Sequence, residues 1–139
     1  MDYPDKWIRG VISEEYLKKG LPKASLFSGF TDCENKSDYE ELSINWYDRE
    51  EALMQILDQK KDGARQFKIG AAIFSREKLD ELCATGYADN CYKYERSPTP
   101  DNEYHGNLLA KKGIKKEDKK MVASLIAANC FIKLELQKI

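Results

Sequence analysis

The sequence predicts one α+β domain over residues 1–139, with a single mixed β-sheet of about five strands and about four helices packed on it. A chain of 139 residues has the size of one domain. Apolar residues make up 42% and charged residues 34%, a balance that excludes a wholly disordered chain and a membrane protein. Apolar stretches with strand patterns alternate with stretches of helical spacing, which predicts the order β-α-β-α-β-α-β-α-β.

Alternating or continuous apolar residues predict the strands. The first contains many β-branched and aromatic residues, and the second alternates between apolar and polar residues. The third is apolar on both faces in its second half, which is typical of a central strand. Between the first two strands, the polar segment 23–39 predicts a loop, the best candidate for a mobile part of the chain. In chain order, the predicted strands are 7–12, 42–47, 67–74, 91–95 and 131–136.

Capping residues and helical spacing predict the helices. Ser13, followed by acidic residues, predicts a short helix over 13–19. Asp48 and Ser75 stand in positions to cap the second and third helices. The basic stretch 111–120 leads into the fourth helix, which carries apolar residues at helical spacing.

The N-terminus and the cysteines predict a cytoplasmic protein. The first residues are acidic and lack an apolar core, so they do not form a signal peptide. No segment approaches the roughly 18 consecutive apolar residues of a membrane span. The cysteines, none of them in a C-x-x-C pair, are Cys33, Cys83, Cys91 and Cys130. We therefore predict reduced thiols, at least two of them packed in the core, with no metal site and no cofactor.

Arg9 is the most unusual residue of the first predicted strand. By the two-residue period of a strand it shares a face with Trp7 and Val11, which places a guanidinium among apolar side chains. A buried charge needs a partner. That partner is a carboxylate such as Glu40 or Glu41, the chain's own carbonyls, water at an edge strand, or a bound phosphate or carboxylate that the planar guanidinium fits.

Other polar residues are candidates for the same site. Ser43 and Asn45 share the polar face of the second predicted strand. His105 is the only histidine and lies in an irregular polar segment, next to Tyr104. Because histidine titrates near neutral pH, a catalytic acid or base is first assigned to His105. We predict ligand binding by Arg9, Ser43, Asn45 and Tyr104, with His105 as the candidate catalytic residue.

The predicted strands carry an arginine followed by glycine, Arg9-Gly10, on the first strand and a serine, Ser43, on the second, and acidic residues follow later in the chain. This combination resembles the pattern of ADP-ribosyltransferases. The resemblance implies that Arg9 holds the phosphate of NAD and that Ser43 supports the nicotinamide ribose. It leaves Glu95 or Glu103 as the acid that orients the acceptor. The sequence departs from the arginine-specific enzymes of that family, because Ser-Ile-Asn replaces Ser-Thr-Ser and no Glu-x-Glu pair occurs.

Charge is segregated along the chain, and this supports the principal functional prediction. Segment 32–51 has eight acidic residues against two basic ones, and segment 111–120 has six lysines against two acidic residues. Dinucleotide, P-loop and zincin motifs are missing. We therefore predict a domain that recognises another protein, or a second copy of itself, through these acidic and basic surfaces.

Two other partner classes are disfavoured, and one alternative function stays open. The basic stretch is almost free of arginine and lacks stacking aromatics, which disfavours nucleic acid. No segment predicts a membrane partner. The alternative is a small nucleotide- or NAD-processing enzyme with a site made of Arg9, Ser43 and His105.

Overall fold

The computed structural model describes residues 3–33, 38–87 and 91–137. Its helices are α1 (Glu50–Asp58), α2 (Arg76–Leu82) and α3 (Lys116–Asn129). Its strands are β1 (Lys6–Val11), β2 (Leu17–Lys18), β3 (Leu21–Pro22), β4 (Thr31–Asp32), β5 (Tyr39–Trp46), β6 (Lys60–Lys61), β7 (Ala64–Arg65), β8 (Gly70–Ser75), β9 (Lys93–Arg96), β10 (His105–Lys111) and β11 (Phe131–Leu136).

Within these ranges, seven strands form the main sheet, and every pairing is antiparallel. The order is β11-β8-β1-β5-β10-β9, and β4 pairs with the first half of β5. Two short hairpins, β2–β3 and β6–β7, lie outside this sheet. The edge of β5 that does not face β10 is therefore shared between two partners, β1 and β4.

The predicted α+β class is confirmed, but the element counts differ. The main sheet has seven described strands instead of about five and is antiparallel instead of mixed, and three α-helices are described instead of about four. The predicted helix over 13–19 is a single 3-10 turn, Glu14–Tyr16, which Ser13 caps. No residue of this turn is buried, so no packed apolar face stabilises a longer helix there.

Strand β10 is an element that the sequence does not predict, and its first residue, His105, was assigned to an irregular segment. Glycine and asparagine, at Gly106 and Asn107, have low strand propensity. Pairing along β5 on one side and β9 on the other overrides this local preference. The predicted loop 23–39 also contains structure, because Leu26 and Phe27 in a 3-10 turn are buried in the core. Its positions 34–37 lie outside the described residues.

The sheet is covered on both faces. On one face a single apolar cluster contains Trp7, Trp46 and Leu108 of the sheet together with buried residues of α3, and the rings of Trp7 and Phe74 stack with centroids 4.6 Å apart. On the other face, the nine-residue helix α1 packs against Ile8 and its neighbours in β8. Farther along that second face, β5 and β10 carry polar side chains, and the candidate site lies there.

The helix caps follow the prediction at one position and depart from it at another. The Ser75 hydroxyl accepts a hydrogen bond from the Lys78 N–H and caps α2, as predicted. Asp48 does not cap α1, whose N-cap is Arg49. The Asp48 carboxylate instead accepts two hydrogen bonds from the Arg96 guanidinium, at 2.8 and 3.0 Å. A bidentate ion pair of this kind is stronger than a single capping hydrogen bond.

The cysteines differ from the prediction in part. Cys33 and Cys130 are free thiols buried in the core, as predicted for at least two of the four. Cys83 and Cys91 form a disulfide, which overturns the prediction of reduced thiols at these positions. The chain turns back after α2 and brings their Cα atoms to 5.8 Å, within the range that a disulfide spans. Among the described residues, no helix has the length and apolar composition of a membrane span.

Candidate functional site

Arg9 closes a gap in the main sheet. The beginning of strand β1 pairs with the end of β5, where Trp7 and Ile8 face Trp46 and Asn45. Strand β4 pairs with the beginning of β5. Between these two partners the main-chain carbonyl of Ser43 accepts a hydrogen bond from Arg9 Nη1 at 2.9 Å. A side-chain guanidinium thus takes the place of a strand at this point of the sheet.

The Arg9 guanidinium has no carboxylate partner among the described residues. The predicted partners are engaged elsewhere, since Glu40 pairs with Lys119 and Glu41 accepts a hydrogen bond from Asn107. Strand β1 is a central strand, so the explanation of an edge strand facing water also fails. Besides Ser43, the guanidinium donates only to the Leu26 carbonyl, from Nε at 3.4 Å, among these residues. Of the predicted partners, the chain's own carbonyls are thus the ones that the described residues provide.

Burial sets the electrostatics of Arg9. Burial lowers the pKa of Arg9 to about 10, an effect only partly opposed by Tyr16. The guanidinium therefore keeps its charge at neutral pH. A half-buried positive charge that is contacted only by main-chain carbonyls among the described residues attracts an anion more strongly than a fully exposed arginine does.

A cavity of about 640 Å³ brings the predicted residues together on the α1 face of the sheet. Four of the five predicted site residues contribute to its wall, namely Arg9, Ser43, Asn45 and His105. Ser43 is exposed to solvent, unlike its neighbours in β5. Tyr104 does not line this cavity, because it is buried in the apolar cluster beneath α1.

His105 is oriented by a main-chain carbonyl. Its Nδ1 lies 2.8 Å from the carbonyl oxygen of Ser97. A carbonyl only accepts hydrogen bonds, so Nδ1 carries a proton, and the neutral ring leaves the lone pair on Nε2. Nε2 has no partner among the described residues, which makes it the atom of His105 that can take up a proton from a ligand.

Asn45 fastens the cavity wall and has little capacity left for a ligand. Its Nδ2 donates to the Ala52 carbonyl at 2.9 Å, and its Oδ1 accepts from Asn102 Nδ2 at 2.8 Å. Asn102 Oδ1 in turn accepts from the Tyr104 N–H at 3.0 Å. The buried amide of Asn45 thus ties the start of α1 to the segment before β10, which is a positioning role.

The sequence patterns do not point to the other polar residues of the cavity wall, which include four amides, Gln55, Gln59, Gln66 and Asn102. Gln55 and Gln59 lie four residues apart, so they share a helix face, and this spacing could have found them. Gln55 donates to the Asp101 carbonyl at 3.1 Å, and Gln59 donates to the Gln66 side chain at 2.6 Å. Lys60 adds a second cationic side chain to the wall. Asp101 supplies the carboxylate among the described lining residues.

The resemblance to ADP-ribosyltransferases covers Arg9 and Ser43 but does not extend to the acid. Neither Glu95 nor Glu103 belongs to the described lining of the cavity. Glu95 accepts a hydrogen bond from Asn107 on the neighbouring strand instead. No family model, curated protein or solved structure matches this chain. The function must therefore be argued from the geometry of this chain.

A second polar cluster on this face has donors close enough to hold a metal ion. One ligand atom from each of Cys33, Glu41 and Glu95 lies within 4.8 Å of the others. The buried Asn107 donates from Nδ2 to Glu95 at 2.8 Å and to Glu41 at 3.3 Å. These hydrogen bonds give both carboxylates a partner without a cation.

The two charged segments predicted as contact surfaces meet within the chain. Lys112 Nζ lies 3.4 Å from the Asp32 carboxylate, and Lys119 Nζ lies 2.7 Å from that of Glu40. The Lys112 N–H also donates to the Asp38 carbonyl. Ion pairs between the two segments thus neutralise part of the segregated charge within the chain itself. Recognition of a protein partner through these surfaces stays a prediction.

Proposed function

We propose that the protein binds a small phosphate-bearing molecule of nucleotide size in the cavity beside Arg9. The observation that carries this proposal is the charged, half-buried guanidinium of Arg9, which has no carboxylate partner among the described residues and lines the cavity. A planar guanidinium with N–H groups to spare binds phosphate oxygens in pairs.

The rest of the wall is suited to the polar remainder of such a ligand. The volume of about 640 Å³ falls within the range of about 300–1,000 Å³ that small-molecule pockets have. Lys60 adds a second positive charge, and the exposed hydroxyl of Ser43 lies next to Arg9. Ile56 and Phe67 provide an apolar surface for a base or another flat group.

His105 makes a reaction on the bound molecule chemically accessible. With Nδ1 held by the Ser97 carbonyl, Nε2 is the general base that accepts a proton from a hydroxyl or a water molecule in the cavity. Nucleotide processing is therefore the activity that fits this wall. In this proposal the His105→Gln variant binds the ligand with unchanged affinity but loses about 100-fold or more in turnover.

Thermal unfolding with and without ligand tests the binding step. ATP, ADP, NAD and inorganic phosphate are compared with adenosine, which lacks the phosphate. We expect a phosphate-bearing compound to raise the melting temperature, because a ligand that binds only the folded chain stabilises it. Arg9→Met should abolish the shift, and Arg49→Met, which removes an exposed arginine outside the cavity, should retain it.

Two results would overturn the proposal. One is the absence of a shift with every phosphate compound in the wild-type chain. The other is an Arg9→Met variant that folds and binds as tightly as the wild type. Should Arg9→Met fail to fold, Arg9→Lys replaces it, since lysine retains the charge and removes the planar pair of donors. Weaker binding by Arg9→Lys is then the expected result.

A further inference from the structure

A second cavity lies on the opposite face of the sheet, between the turn Ala24–Phe27 and α3. Its volume is about 380 Å³. Its apolar walls include Phe27, Phe30, Ala110 and Ala123. Ala110 and Ala123 belong to the apolar core on the α3 side, whereas Asn45 and Ile56 place the first cavity on the α1 side. The two cavities are therefore separate sites.

Lysines of the first turns of α3 line this second cavity. Lys119 is paired with Glu40 at 2.7 Å, whereas Lys116 and Lys120 have no acidic partner among the described residues. The N-cap of α3, Lys115, makes no side-chain capping hydrogen bond. Cations near a helix N-terminus are unfavourable, because the helix dipole is positive there. Glu117 and Asp118 offset this only in part, so an anion at this end would be stabilised.

The unneutralised charge at the rim of this cavity is positive. Glu40 is the carboxylate in the described lining, and it is paired with Lys119, which leaves Lys116 and Lys120 without an acidic partner among the described residues. Charges that are not neutralised within the protein attract ions of the opposite sign. An apolar cavity with unpaired cations at its rim matches a ligand with an apolar chain and an anionic head.

We infer that this cavity binds a medium-chain fatty carboxylate. The acyl chain lies between Phe27, Phe30 and Ala123, and the carboxylate accepts hydrogen bonds from Lys116 and Lys120. This site is independent of the nucleotide-sized cavity beside Arg9, and each can be disproved without the other.

Calorimetric titration of the wild-type chain tests both parts of the ligand. Hexanoate, octanoate and decanoate vary the chain, and decyltrimethylammonium keeps the decyl chain but reverses the charge. We expect affinity to rise about fourfold for each methylene that becomes buried. Decyltrimethylammonium should bind at least about tenfold more weakly than decanoate. Equal binding of the cation, or affinity that does not depend on chain length, would overturn the inference.

Variants locate the site. Lys116→Gln combined with Lys120→Gln should weaken decanoate binding about tenfold or more. The control variant, Lys6→Gln with Lys68→Gln, removes two exposed lysines outside this cavity and should leave decanoate binding unchanged. Ala123→Leu fills the cavity and should abolish binding. If Ala123→Leu fails to fold, the two double lysine variants still test the inference. Equal decanoate affinity in the Lys116/Lys120 variant and in the Lys6/Lys68 variant would contradict it. His105→Gln, which changes a residue of the first cavity that does not line the second, should bind decanoate normally. Loss of binding in that variant would place the acyl chain in the first cavity and contradict the inference.

Discussion

The Arg9 guanidinium donates a hydrogen bond to the Ser43 main-chain carbonyl at 2.9 Å, at the point where β5 has neither β1 nor β4 beside it. This contact lets one side chain reach both faces of the sheet. Arg9 lines the 640 Å³ cavity on the α1 side and also a small cavity of about 60 Å³ against the turn that contains Ser25 and Leu26. The opening between the strands is what leaves this half-buried cation accessible from the cavity.

The first prediction concerns the pH dependence of ligand binding. With its pKa lowered to about 10, Arg9 is charged below that pH and loses its charge as the pH rises through it. The affinity advantage of the wild type over Arg9→Met for a phosphate compound should therefore be complete at about pH 8 and should shrink by about pH 10.5. Titrations at both values, with circular dichroism to verify folding, measure it. An advantage that is constant across this range would contradict the assignment.

The second prediction concerns the close contact between Gly10 and Phe67. A Cβ atom at Gly10 would overlap the Phe67 ring, so Gly10→Ala forces the ring or β1 to shift. We expect a loss of about 1–3 kcal/mol in the free energy of unfolding, measured by urea denaturation. At Gly29 an added Cβ meets its nearest atoms at 3.5 and 3.7 Å, ordinary contacts, so Gly29→Ala is the matched control. Adding Phe67→Leu to Gly10→Ala should restore part of the loss.

The third prediction concerns the disulfide between Cys83 and Cys91. The two residues are eight apart, and closing a loop of this length stabilises a folded chain by about 2.5 kcal/mol. Reduction should therefore lower the melting temperature of the wild type and leave that of the Cys83→Ser, Cys91→Ser double variant unchanged. Mass spectrometry after alkylation without reductant should find both cysteines unmodified. Alkylation of Cys83 in the folded, unreduced chain would show that the bond is absent.

The fourth prediction concerns the reactivity of Cys130. Burial, together with the nearby carboxylates of Asp80 and Glu81, raises the pKa of the Cys130 thiol to about 12. At about pH 8, only about one such thiol in ten thousand is ionised. Because the thiolate is the reactive form, Cys130 should resist iodoacetamide in the folded chain and react readily in urea. Rapid labelling of Cys130 in the folded protein at this pH would be inconsistent with its burial.

Local patterns in the sequence determined much of the secondary structure. The alternation of Leu42, Ile44 and Trp46 with Ser43 predicts which side of β5 is buried, and Ser75 predicts the start of α2. Both patterns depend on a few neighbouring residues, so they can be recognised without knowing how the rest of the chain folds. Arg9 is conspicuous for the same reason, because a charge at a core-facing strand position breaks the local pattern.

Contacts between distant parts of the chain decided the rest. Three features depend on how distant segments are placed in the fold. They are the pairing of β10 with β5, the bond between Cys83 and Cys91, and the contact of the Arg9 guanidinium with β5. The same holds for the meeting of His105 with Arg9 in one cavity, which joins residues almost a hundred positions apart. Periodicity reports which face of a segment is buried, but not what covers that face. The sequence therefore supplied Arg9, Ser43, Asn45 and His105, whereas tertiary packing decided their arrangement and which other residues complete the cavity wall.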